Sequence, residues 1–536
     1  MKKLLQRVAA AILCGSIALT PLTAHAAPIA TGIDVSYHNG IVNWQAVKNS
    51  GISFAFVRVA STKSGIDAQF VNNITGANAA GLRVGVYIYS YATTVEGAIN
   101  EANIVLNAIA PYTVSFPVVY DIEDTVHKNM SPDQLAALVN AFCGTIAAAG
   151  YYPMVYSSRN WMVQRIAPVP WDKWIAQYNT VNTYPGPYGV WQFTSHGAVN
   201  GVATRVDMNY LFTDYSQILI PEGFATQGGR VYYYHNYRKM MGWILANGGR
   251  YFAGPDFAVI SGWFNDGSGN YYLNPADGGK AAVGWTPIAD KFYFFDINGV
   301  MQTGLQNIGT QIVYLDATGA AQRGFVTLPD GTHYFDNNYA MHVGLTPVGD
   351  KLYYFNDNGV MQTGLTALPT GVYFFGGDGA AMKGWLDVAE GRRYYFTEAG
   401  NALIGLQKVG NDFYLFGNDG VMHTGWSRSE AGSYFFHADG KMATGLTLIG
   451  TDNYYFGPDG RMTVGLVALK DGNVFFDAEG KQVRGWVQIG AGWFYFDPVT
   501  GYMVKNTAIE IGGVPCAFDV NGLLIAPVGI DPRTLQ

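Results

Sequence analysis

Val118-Val119-Tyr120-Asp121-Ile122-Glu123-Asp124 is an apolar run that ends in two carboxylates two residues apart. In an extended strand, side chains at i and i+2 point to the same face, so Asp121 and Glu123 are expected to point together. If the strand opens into a cleft, two carboxyl groups held close push their pKa values apart. One becomes a proton donor and the other an anion, the pair that glycosidic bond cleavage uses.

Outward from this run, short β-rich segments alternate with helical patterns between Thr31 and about Tyr215, the signature of an α/β domain with a mainly parallel sheet. Strands are expected at 32–35, 54–59, 83–91, 116–121 and 154–157, and helices near 42–49, 68–80, 95–109 and 132–149. Ser131, Pro132 and Gln134 form a capping box at the start of the last helix. After Ser158 the pattern reads as β only, with strands at 174–178, 190–193 and 207–212. An irregular TIM-like barrel of about eight strands fits this order, and in such barrels chemistry sits where strands end. Asp34 ends the first strand, Asp121 and Glu123 end the fourth, and Asp207 begins the last, so four acids are expected at one mouth.

At these residues the chain resembles the bacterial and phage muramidases of glycoside hydrolase family 25. The motifs are Gly32-Ile33-Asp34-Val35-Ser36, Tyr87-Ile88-Tyr89-Ser90-Tyr91, Tyr120-Asp121-Ile122-Glu123, Trp174-Ile175-Ala176-Gln177-Tyr178, Trp191-Gln192-Phe193 and Val206-Asp207-Met208-Asn209, in the family's order. The resemblance implies a lysozyme that cleaves the β-1,4 bond between N-acetylmuramic acid and N-acetylglucosamine. It also implies Glu123 as proton donor, with Asp34, Asp121 and Asp207 around the sugar. Two stretches depart from the family, Tyr37-His38-Asn39-Gly40 and Ala60-Ser61-Thr62-Lys63, and neither touches the four acids.

Read from the residues alone, Glu123 needs a pKa raised by partial burial and by Asp121 beside it, while Asp121 stays ionised and stabilises an oxocarbenium-like transition state or orients a 2-acetamido group. Simpler roles exist as well. Asp34 suits a turn cap, Asp207 suits an ion pair with Arg205 or Arg58, and Asp124 reads as loop. Most of the aromatic set is expected in the core. Tyr89, Tyr120 and Trp174 are the residues expected to meet a sugar ring.

Residues 216–229, with Pro221-Glu222-Gly223 and Gly228-Gly229, read as a linker between a catalytic module over 27–215 and a second module over 230–525, followed by a tail at 526–536. In the second module glycine followed by a large apolar residue recurs about every twenty residues, as at Gly344-Leu345, Gly364-Leu365 and Gly384-Trp385. Within a unit an aromatic strand is followed by a turn and then Met and Gly, as over 353–361, and the Asn-Gly and Asp-Gly pairs mark tight hairpins, so an all-β solenoid of hairpins is expected. The array resembles the choline-binding and glucan-binding repeats of Gram-positive surface proteins, which hold choline in aromatic cages. An aromatic residue seven positions after tryptophan marks two candidate ligand pairs, Trp285 with Phe292 and Trp486 with Trp493. The expected partners are peptidoglycan and a wall polysaccharide or teichoic acid, choline included, with many weak sites acting together.

Composition sets the remaining bounds. A net charge of -7 gives no basic footprint, which argues against nucleic acid, and the nine histidines show no metal-ligand spacing. No cofactor is called for. Lys2, Lys3 and Arg7, an apolar run from Val8 to Leu19, and Ala24-His25-Ala26 read as a signal peptide over 1–26, too short to span a bilayer. A secreted, wall-associated protein with no membrane contact after cleavage is expected. Cys143 and Cys516 then remain, which excludes a disulfide scaffold. The competing readings are a catalytically inactive glycan- or wall-binding surface protein, and a hydrolase of capsular or dietary glycans.

Overall fold

The computed structural model describes residues 27–527 and 531–535. The expected signal peptide lies outside the described residues. The chain divides into two compact units, with the break between Gln302 and Thr303. The first holds the α/β module and the first hairpins.

Nine strands make up the α/β sheet: β1 (Ala30–Val35), β2 (Phe54–Ser61), β3 (Gly65–Ile66), β4 (Arg83–Tyr89), β5 (Val118–Asp121), β6 (Pro153–Ser158), β7 (Asp172–Ala176), β8 (Val190–Gly197) and β9 (Val206–Leu211). β1 pairs with both β2 and β9, which closes eight strands into a barrel, while the two-residue β3 hangs on β2. Apart from the antiparallel β2–β3 pair, all neighbouring pairs from β1 through β8 are parallel, and β9 is antiparallel to β1 and β8. This reversal brings the start of β9 to the end where the parallel strands finish. The irregular TIM-like barrel expected from the sequence is present.

Helices α1 (Trp44–Asn49), α2 (Phe70–Ala79), α3 (Val95–Ile109), α4 (Pro132–Ala148) and α5 (Arg159–Gln164) cover the outside. Helix α5 corrects the expectation that the chain is β only after Ser158. Ser158 caps it through a hydrogen bond from the Trp161 N–H at 3.3 Å, and the six-residue element is too short for helical periodicity to stand out. The capping box on α4 is present in both directions, with Gln134 N–H donating to Ser131 Oγ and Ser131 N–H donating to Gln134 Oε1.

Strand periodicity sorts two apolar layers. Val118 and Tyr120 of β5 face the helices, where Tyr120 stacks on Phe142 of α4 at 4.4 Å. Val119, with Phe54, Phe56, Phe116 and Trp174, fills the barrel interior. Cys143 is buried between α4 and the sheet, and both Cys143 and Cys516 are free thiols.

The expected linker is not a bare connection: its residues pack against the barrel core. Strand β10 (Glu222–Gln227) pairs with β11 (Arg230–His235), and Leu219 and Tyr234 are buried in the same cluster as Phe54, Phe56 and Phe116. Arg83 donates to the Leu219 carbonyl at 3.0 Å, and the Lys239 N–H donates to the Gly150 carbonyl at 3.0 Å. Gly228 and Gly229 form the turn between β10 and β11, while Gly223 lies within β10, paired with the buried Tyr234.

From residue 303 onward, five-residue strands pair as hairpins, as in Gly344–Val348 with Lys351–Phe355. In each unit an Asp, Asn or equivalent turn follows the second strand. In one of them Asn356 Oδ1 accepts the N–H groups of Asn358 and Val360, each at 3.0 Å. Gly359 has φ 78°, and a Cβ there would lie 2.6 Å from Met341 Sδ of the preceding unit. The recurrent Met and Gly therefore pack against each other from one unit to the next. Successive hairpins are also tied by backbone, as where Met361 N–H donates to the Thr332 carbonyl at 2.7 Å. Phe355, Phe375, Phe396 and Phe456 are buried in these layers, the hairpin-core role expected for most of the aromatics.

Candidate active site

At the mouth of the barrel, Asp34 and Asp207 are register partners across β1 and β9, and Asp121 at the end of β5 is in register with Tyr89 and Tyr156 on its two neighbours. Glu123 lies beyond the last paired residue of β5. Its segment is nonetheless held in line with the sheet, because Ile122 N–H donates to the Tyr156 carbonyl at 3.1 Å and Ser157 Oγ donates to the Ile122 carbonyl at 2.8 Å. The four acids foreseen at one mouth are all found there.

Asp34 is 7% exposed and accepts two amide donors on Oδ1, from Asn209 at 2.8 Å and Gln192 at 3.1 Å. Each amide is itself held. Trp174 Nε1 donates to Asn209 Oδ1 at 2.7 Å, while Tyr156 and Tyr178 donate to Gln192 Oε1 at 2.9 and 3.0 Å. Burial, and then the Asp207 charge, push the Asp34 carboxyl well above the usual range against these hydrogen bonds, and Asp34 shares a hydrogen bond with Asp207. Asp207 is also raised, first by burial.

Glu123 is pushed up to about 7, first by burial and then by Asp207 and Asp124. Asp121 is raised well above its ordinary value as well, by burial and then by Glu123 and Asp34, with the Arg58 cation opposing. This corrects the expectation that Asp121 lifts Glu123: burial is the largest cause for both groups, and the charges that bear on Glu123 are Asp207 and Asp124. Burial and mutual repulsion therefore shift all four carboxyl groups in the same direction, above their ordinary values. Asp121 Oδ1 is buried without a hydrogen-bond partner among the described residues, leaving an oxygen for an incoming polar group.

Arg58 does not pair with Asp207. It donates to Asp67 at 2.8 Å and lies 4.7 Å over the Tyr37 ring. Asp124 is more than loop: it caps a short turn through the Val126 N–H and accepts from Tyr89 OH at 3.1 Å. Although its partial burial raises it, these bonds hold Asp124 below the usual carboxylate range.

Of the three aromatics expected to meet a sugar, Tyr89 is at the mouth beside Asp124. Tyr120 and Trp174 are not available to a ligand. Tyr120 is 0% exposed on the helix side of β5, where its OH donates to Glu101 Oε2 at 3.0 Å. The alternation that turns Asp121 inward turns its neighbour Tyr120 outward. Trp174 is 1% exposed inside the barrel, stacked on Phe56 at 4.4 Å, and it orients Asn209. Tyr178, just past the end of β7, is an exposed aromatic, at 59%. Its exposure, and not its hydrogen bond to Gln192, which the buried Tyr156 also makes, distinguishes it from a core tyrosine. Glu101 was also unforeseen: fully buried on α3, it accepts from Thr62, Ser90, the Tyr91 N–H and Tyr120. Among the described residues no group of three or more His, Cys, Asp or Glu side chains is arranged to hold a metal ion.

Residues 33–202 match the family described as Glycosyl hydrolases family 25. Over these residues the chain is similar to family 25 hydrolases. Asp34, Asp121 and Glu123 fall within the match, and Asp207 lies just past its end. Residues 463–507 match a choline-binding repeat, and 261–276, 348–361 and 404–422 match a cell wall binding repeat. The autolytic lysozyme of Clostridium acetobutylicum is 26% identical over 181 residues, covering 33% of this chain and 54% of the relative. Lysozyme M1 of Streptomyces globisporus is 27% identical over 196 residues, covering 33% of this chain and 66% of the relative. The chain thus spans between about half and two thirds of these curated relatives. Among solved structures, the modular autolysin LytC from Streptococcus pneumoniae, in complex with a synthetic peptidoglycan ligand, is 29% identical with TM-score 0.32, covering 34% of this chain and 46% of that one. Choline binding protein F from the same species is 23% identical with TM-score 0.27, covering 57% and 99%.

Beyond the family 25 match, Trp285 and Phe292 are 39% and 41% exposed and share a hairpin face at diagonal positions. Trp486 packs on Tyr495 at 4.8 Å and donates from Nε1 to the Leu535 carbonyl at 3.1 Å; Trp493 lies opposite Gln488 on the same hairpin. Each tryptophan meets the aromatic directly across the hairpin, Phe294 for Trp285 and Tyr495 for Trp486. A third ring comes from the following unit, as where Trp385 meets Tyr395 at 5.1 Å and Tyr414 at 4.9 Å. The spacing of seven residues missed this third ring, because it is far along the chain and is brought close only by stacking of units.

Proposed function

We propose that this chain is a glycoside hydrolase of the N-acetylmuramidase type, secreted and bound to cell walls through its repeats. The observation that carries the reading is Glu123, a half-buried carboxyl raised to about 7 at a barrel mouth that holds three further acids. Such a group is protonated at the onset of reaction and acidic enough to give its proton to a leaving glycosidic oxygen. Asp121, with one unpartnered oxygen, is suited to receive the N–H of a 2-acetamido group or to stabilise positive charge at the anomeric carbon. Asp34, fixed by Asn209 and Gln192, and Asp207 beside it complete the acidic wall. Tyr89 and Tyr178 are the aromatic surfaces offered to the sugar. Peptidoglycan is the substrate that fits a family 25 domain joined to wall-binding repeats, and choline or a teichoic acid is a fitting repeat ligand. No helix among the described residues is long and apolar enough to cross a membrane.

The test is mass spectrometry of the products released from purified peptidoglycan by the intact protein and by Glu123→Gln. New reducing ends on N-acetylmuramic acid that vanish in the variant support the reading. Retained binding without cleavage by either protein refutes the hydrolase and favours a glycan-binding role.

A further inference from the structure

Residues diagonal across a hairpin share a face, and in two repeats the residue diagonal to the first tryptophan is an arginine. In the hairpin that pairs Trp385 with Tyr395, Asp387 pairs with Arg393. The Arg393 guanidinium lies 4.7 Å over the Trp385 ring and is held by Asp387 at 3.2 Å. Arg250, opposite Leu245, lies 4.2 Å over the Trp243 ring and donates to the Asn298 carbonyl at 2.6 Å. Arg428, two residues along the strand from Trp426 and so on its face, lies 5.2 Å over that ring. Other units carry a neutral residue at the diagonal position. Trp263 has Asn270 there and is 49% exposed, with Tyr272 at 5.2 Å and Tyr293 at 5.0 Å. Phe325 has Thr332 and is 45% exposed, with Tyr334 and Tyr353 each at 5.0 Å. Among the described residues no lysine or arginine lies over either of these two rings, whereas Trp243, Trp385 and Trp426 are only partly exposed.

We propose that the units built on Trp243, Trp385 and Trp426 are capped by the protein's own arginines, and that only units without such a cap admit an external organic cation such as a quaternary ammonium. The proposal rests on the reading of the repeats as receivers of a cationic wall ligand. A guanidinium and a quaternary ammonium are attracted to the same negative ring face. A short tether keeps the arginine at an effective concentration on the order of millimolar, so a weakly bound free cation is outcompeted. The capped units then serve in stacking, and the number of ligand sites is set by whether an arginine of the same hairpin lies over the ring and not by the count of tryptophans.

Equilibrium dialysis of the full chain with labelled choline, with Arg393→Ser and Arg428→Ser measured separately, tests the proposal. Each serine variant is expected to bind one more choline per chain than the parent, and Arg393→Lys, which keeps a cation in place, is expected to add none. An unchanged stoichiometry in both serine variants, with the near-UV signal of the parent retained, overturns it. The two variants lie in different hairpins, so misfolding of one leaves the other to decide. A parent that binds no choline while a serine variant binds one refutes the open-site reading and supports the cap. No binding by the parent or either serine variant overturns both.

Discussion

Asp34 and Asp207 stand directly opposite each other in the antiparallel pair of β1 and β9 and share a hydrogen bond. Two carboxyl groups in this relationship raise the cost of ionising both, and Asp207 is the largest of the neighbouring charges that raise Glu123. Asp207→Asn is therefore expected to move the alkaline limb of the kcat/KM profile to lower pH, by a few tenths to about one unit. A limb that stays in place would separate Asp207 from the acid.

Hydrolysis is expected to fall above about pH 7, because Glu123 must carry its proton and its pKa lies there. Initial rates on soluble peptidoglycan fragments between pH 4 and 9 check this. Glu123→Gln is expected to lose about 10²- to 10⁴-fold in kcat, the usual contribution of a general acid, with wall binding unchanged.

Stability carries the same group with a definite sign. The folded-state value of Glu123, about 7, lies above the 4.5 of a free glutamate, so the native state holds the proton more tightly than the unfolded chain. Its contribution is full below 4.5 and is lost as pH rises through 7. Denaturant melts should show stability declining over that window, and Glu123→Gln should flatten the decline by up to about 3 kcal/mol, from about 1.4 kcal/mol per pKa unit.

Trp174→Phe keeps the ring stack with Phe56 and removes the donor to Asn209, whose side chain is wholly buried. The stranded amide oxygen is expected to cost about 1–3 kcal/mol in urea unfolding. Because Asn209 fixes Asp34 and not the substrate, kcat should fall with little change in KM. A rise in KM alone would indicate direct sugar contact.

A fragment ending at residue 215 loses Leu219 and Tyr234 from the barrel cluster. It is expected to be less stable than one ending at residue 302 by at least about 3 kcal/mol, the burial of two large side chains. Thermal unfolding of the two fragments checks this.

Much of the barrel was legible because strands and helices differ in period. The alternation of Val118, Val119 and Tyr120 and the capping box at Ser131 found the elements, and four acids at strand ends found the mouth. The same alternation already contradicted Tyr120 as a sugar contact, since it cannot face inward with Asp121. Trp174 and Tyr178 belong to one motif, yet one is interior and the other exposed, a distinction set by depth in the barrel. Pro221 and Gly228-Gly229 read as linker because turns and linkers share composition, and only burial of Leu219 and Tyr234 tells them apart.

The sequence by itself determined the local structures, the twenty-residue repeat, the inward face of β5 and the acids at the strand ends. Tertiary structure decided what those acids are. The reversal of β9 sets Asp207 against Asp34, burial lifts Glu123 and Asp121 together, and stacking brings Tyr414 onto Trp385. Local periodicity fixes where a side chain points, whereas proton affinity and ring contacts depend on groups that only the closed barrel and the stacked hairpins bring within a few ångströms.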